Sequence, residues 1–113
     1  RRNTIAIVHE YVAKAIQRRS GLGVMKRDLS MPDSDVDVNY FMRELVIAGD
    51  VDTALDRLLQ LWDETGPFGT LVMMEFDWVD EDDRKAWLLS TELFIGELLP
   101  RLNAAVGATV NVG

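Results

Sequence analysis

The chain has no cysteine, a single histidine and three prolines. Without cysteine there is neither a disulfide scaffold nor a thiolate metal site, and a cytoplasmic location is the one expected. Long apolar runs are missing too: none approaches the roughly 20 residues a membrane-spanning helix needs. No membrane partner is expected. The start is polar and no small-residue cleavage site follows an apolar stretch, so no signal peptide is read. Positive charge is the scarcer sign, with 12 Lys and Arg against 19 Asp and Glu and a formal charge of −7. Nucleic acid demands a basic surface to displace counterions, so no nucleic-acid partner is expected. Arg18, Arg19, Lys26 and Arg27 form the one basic cluster and read as a solvated helix end.

What is present is the composition of a folded domain, 48% hydrophobic and 27% charged. At 113 residues the chain is one domain at most. It begins Arg1-Arg2-Asn3 rather than with methionine, which points to a processed or truncated start.

Residues 4–19 predict an amphipathic helix, with Ile5, Val8, Val12 and Ile16 on one stripe and Gly21 and Gly23 beyond its end. His9 lies at the border of that stripe without partners at metal-ligand spacing, and no metal site is expected. From 24 to 37 aspartates, serines and Pro32 form a loop. Its acid spacing lacks the central glycine and the closing glutamate of a calcium loop. Asp37 is placed to cap a short helix over 38–44.

The second half alternates in type. Leu45-Val46-Ile47-Ala48 is an apolar run that predicts a strand ending at Gly49-Asp50. Leu55, Leu58, Leu59 and Trp62 predict a helix over 51–65, capped by Asp50 or Asp52 and stopped by Gly66-Pro67. Residues 70–76 are apolar apart from Thr70 and Glu75 and predict a strand buried on both faces. A last helix over 80–104 opens on Asp80-Glu81-Asp82-Asp83 and meets Pro100 late, where a kink or an end is expected. Little order is expected in the small-residue tail over 105–113. Strand, helix, strand, helix implies parallel neighbours and a sheet larger than this chain can supply.

Several of these segments look like one family. Ile47-Ala48-Gly49-Asp50-Val51-Asp52-Thr53, then Gly66-Pro67-Phe68-Gly69-Thr70-Leu71, then Asp77-Trp78, resemble the C-terminal end of luciferase-like (bacterial luciferase family) flavin-dependent monooxygenases. Leu98-Leu99-Pro100-Arg101-Leu102-Asn103 is similar to the family's closing segment, with Leu99 where methionine is usual. The resemblance runs over 28–104. It implies an α/β fold: the C-terminal βαβα portion of a TIM-type (β/α)₈ barrel, with 1–44 as helical and loop lead-in and 45–104 as the last two βα units. Such a barrel needs about 250 residues, so this portion is incomplete as a barrel. The implied cofactor is reduced FMN, delivered by a flavin reductase; the residues do not distinguish FMN from a related deazaflavin. One oxygen atom of O₂ goes to a small organic substrate and the other leaves as water. Much of the family's flavin binding lies upstream of these segments, so this chain alone is expected to be inactive and not to bind FMN.

In such barrels the active site lies at the C-terminal mouths of the strands. The resemblance therefore makes Gly49 and Asp50 the candidate cofactor-binding residues. Glu75, Asp77 and Trp78 become candidates for a substrate pocket, and no catalytic residue is assigned. The same residues have plainer roles: Gly49 in a tight reversal, Asp50 as a cap, Glu75 in an ion pair, Trp78 in packing. An alternative is a non-catalytic, self-associating α/β interaction module. Both readings expect a homo-oligomer, because unpaired strand edges need partners.

Overall fold

The computed structural model describes residues 10–12, 14, 21–73, 78 and 80–113. The chain divides into two compact units, 1–46 and 47–113.

In the first unit residues 10–12 and 14 are helical, and Lys14 pairs with Glu10 one turn earlier. The rest of the helix expected over 4–19, with His9, Arg18 and Arg19, lies outside the described residues. Short 3₁₀ turns at Leu22–Met25 and Asp33–Asp35 carry the acidic loop. Helix α1 (Val38–Tyr40) starts where the sequence says it should, with the Asp37 carboxylate accepting from the Tyr40 amide at 2.8 Å. Leu22, Met25, Val36 and Tyr40 form a small core, against which Met31 and Phe41 pack. The Tyr40 hydroxyl accepts from the Arg27 amide at 2.8 Å, tying loop to helix. Lys26 and Arg27 do not form a free basic patch: Lys26 pairs with Asp33 at 2.6 Å and Arg27 with Glu44 at 3.2 Å.

The strand expected over 45–48 is absent. Helix α1 widens into a π-helical turn over Phe41–Leu45, so Leu45 is helical, and 46–48 form no ladder. Ile47 is 39% exposed rather than buried on both faces. The reason is local. Met42, Arg43 and Glu44 are good helix formers, and a capped helix runs on through them into the apolar run. Four apolar residues carry no period that separates a strand from a helix end.

The second unit holds most of the regular structure. Helix α2 (Val51–Thr65) is capped by Asp50 and ends at Gly66, whose N–H donates to the Trp62 carbonyl at 2.9 Å. Strand β1 (Thr70–Leu71) follows. Helix α3 (Glu81–Leu93) is capped by Asp80, whose carboxylate accepts from the Asp83 amide at 2.9 Å. A π-helical turn (Phe94–Leu98) leads into helix α4 (Leu99–Val106). This turn explains how the chain passes Pro100 without ending. Proline has no N–H to give, and its ring crowds the carbonyl four residues back, here that of Gly96. Leu99 donates instead to Phe94, five residues back, and the wider turn makes room.

Helix α4 closes at Gly107, which takes left-handed backbone angles (φ 67°, ψ 27°) that favour glycine. Strand β2 (Asn111–Val112) then pairs in parallel with β1, Thr70 opposite Asn111 and Leu71 opposite Val112. Parallel neighbours need a long crossover, and the helical stretch from α3 to α4 is that connection. Two sequence expectations change here. The partner of β1 is the tail, not 45–48, and Val110 just before β2 is 2% exposed. Residues 70–73 alternate exposed and half-buried, with Val72 at 68%, so this strand is covered on one face only. Among the described residues the fold is α/β, mostly helical with one two-stranded parallel sheet.

The core of this unit is Leu58, Leu98, Leu102 and Val110. Trp62 meets Phe68 edge to face, ring centroids 4.8 Å apart, and closes one end. Among the described residues, no helix is long and apolar enough to cross a membrane.

Candidate functional site

Of the five residues the sequence singles out, two sit together at the start of α2. Gly49 has φ 150°, and a Cβ built on it would lie 2.9 Å from both Cβ and Cγ2 of Thr53. Only glycine lets the chain enter the helix by this path. Asp50 follows, and its carboxylate accepts from the Thr53 amide at 2.8 Å. That amide, and then the Thr53 hydroxyl, hold the Asp50 carboxyl below its ordinary value. Two residues on, in the first turn of α2, Asp52 accepts from Arg101 of α4 at 2.7 Å.

The geometry thus brings Gly49 and Asp50 together with Thr53 and, through Asp52, with Arg101. Arg101 stands 49 residues along the chain, and nothing in local spacing pairs it with Asp52. Trp78 stands apart, before the Asp80 cap, with 49% of its surface exposed. Glu75 and Asp77 lie outside the described residues.

The chemistry of the α2 start is that of an occupied cap. A helix N-terminus attracts anions through free amides, but Thr53 has given its amide to Asp50. Two carboxylates stand there, and the one nearby guanidinium shown, that of Arg101, is already engaged. The two carboxylates oppose a phosphate at this end. Among the described residues, no group of three His, Cys, Asp or Glu side chains could hold a metal ion.

The chain has relatives among known proteins. The chain is 36% identical over 72 residues to 4-hydroxyprotoasukamycin monooxygenase of Streptomyces nodosus subsp. asukaensis, covering 63% of this chain and 19% of that protein. It is 30% identical over 89 residues to 3,6-diketocamphane 1,6-monooxygenase of Pseudomonas putida, covering 77% of this chain and 23% of that protein. The chain is similar to monooxygenases. It spans about a fifth of the length of these relatives. No protein-family model and no solved structure matches.

Proposed function

We propose that this chain is the C-terminal portion of a reduced-flavin-dependent monooxygenase of the luciferase-like type. The complete enzyme inserts one oxygen atom of O₂ into a small organic substrate. The observation that carries this reading is the likeness to two monooxygenases over stretches of 72 and 89 residues. The order α2, β1, α3 supports it, being that of a helix followed by a βα unit. So does the 68% exposure of Val72 beside β1, an apolar side chain that neighbouring barrel strands would cover.

Reduced FMN supplies the oxygen chemistry when bound, and a flavin reductase supplies the reduced flavin. The α2 carboxylates oppose the FMN phosphate, and much of the phosphate and ring binding falls to barrel strands upstream of this chain. Gly49 and Asp50 border the flavin site: Gly49 makes the tight reversal into α2, and Asp50 fixes the helix entrance. Glu75, Asp77 and Trp78 contribute to the substrate pocket, with Trp78 as an apolar wall that excludes water. The chain alone is inactive.

The test is to read the encoding frame upstream of Arg1 and express the whole product with a flavin reductase. Six further βα units, together with label from ¹⁸O₂ in an oxidised product, are expected. A start codon immediately before Arg1 contradicts the proposal.

A further inference from the structure

Helix α3 gives the core none of its 13 residues as a buried side chain. Its outward face carries Lys85, Leu88, Leu89 and Glu92 at one-turn intervals. Leu88 is 49% exposed, Leu89 56%, and both charged neighbours are exposed. Exposed leucines are ordinary in themselves. The charges around these two are arranged with a symmetry that is not.

Lys85 stands three residues before Leu88, and Glu92 three residues after Leu89. Turned end for end about the point between the leucines, the segment presents each charge to its opposite. A second helix crossing antiparallel there sets Leu88 of each copy over Leu89 of the other. The same crossing sets Lys85 of each copy opposite Glu92 of the other. One two-fold axis therefore satisfies all four side chains, as an isologous contact requires. A partner of a single charge sign would be repelled by half of this face. Within its own chain, Lys85 has Asp82 only at 4.0 Å, the outer limit of an ion pair, so its ammonium is available to a closer carboxylate.

We infer that the outer face of α3 is a self-association surface, occupied by a second copy of this chain running antiparallel and centred between Leu88 and Leu89. The inference is made for the 113-residue chain as it stands. Sedimentation equilibrium on the 113-residue chain tests it with Lys85→Glu, Glu92→Lys and the double variant. Each single swap breaks both symmetric ion pairs and should raise the dimer Kd by roughly tenfold. The double swap should return it to the wild-type value. Leu88→Asp should give a monomer with an unchanged far-UV circular dichroism spectrum. A wild-type chain that stays monomeric at every concentration overturns the inference. So does a dimer indifferent to the single swaps, or a double variant no tighter than the singles.

Discussion

The side-chain oxygen of Asn103 accepts a hydrogen bond from the Val110 amide at 2.9 Å. Its own carbonyl accepts from the Gly107 and Ala108 amides at 3.0 and 3.3 Å. One residue thus ends α4, turns the chain and delivers Val110 to the core and β2 to β1. Removing the side-chain acceptor leaves a part-buried amide without its partner, which costs about 1–3 kcal/mol. Asn103→Ala should lower the urea midpoint accordingly, and Asn103→Asp, which keeps an acceptor oxygen, should lose less. Equal losses in the two variants would count against the bond as the cause.

Gly49 is the residue at which the α2 entrance has no alternative. Gly49→Ala places a methyl carbon 2.9 Å from two Thr53 carbons at φ 150°. Strain of this kind costs about 1–3 kcal/mol. Thermal unfolding should show that loss, while Gly69→Ala, where a Cβ meets nothing within 4 Å, should change little. A neutral Gly49→Ala would mean that the entrance relaxes.

Much of the second unit is legible in the residues alone. The α2 stripe of Leu55, Leu58, Leu59 and Trp62, its Asp50 cap and its Gly66 stop all stand where the pattern sets them, because helix period and capping are local chemistry. Asp37 and Asp80 likewise cap the helices that follow them. The strands are less legible. Which segment pairs with 70–71 is a long-range choice, made by Asn103 and Val110 drawing the tail back, and no local period encodes it. The run over 45–48 has strand composition but inherits a helix from Asp37. At the candidate site, the cap role of Asp50 is readable, whereas the pairing of Asp52 with Arg101 belongs to tertiary structure.

Val72 distinguishes the isolated chain from the proposed complete barrel. In this chain it is 68% exposed, so Val72→Asp should shift stability by no more than about 0.5 kcal/mol. Leu102→Ala removes a side chain with no exposed surface and should cost about 2–5 kcal/mol. In the proposed complete barrel Val72→Asp should instead be severe, because neighbouring strands would bury it. Comparing unfolding midpoints of both forms checks this; tolerance in both contradicts the barrel setting.

Acid should weaken the fold. Asp50 is held low by the Thr53 amide and then its hydroxyl, Glu44 by Arg43 and then Arg27, and Glu81 by Arg84. A carboxyl depressed in the folded state stabilises fully above its unfolded value, near about 4, and loses that contribution as pH falls through the folded value. Urea midpoints should be level around neutrality and fall in the acid range. A midpoint that rises on acidification would contradict these assignments.

The most direct test of the account is a fluorescence titration of FMN with the 113-residue chain and with the product of its whole reading frame. No stoichiometric quenching by the chain and saturable quenching by the whole-frame product are expected on the proposed reading, because the α2 start offers carboxylates that oppose a phosphate. Tight one-to-one binding by the chain alone would contradict that claim.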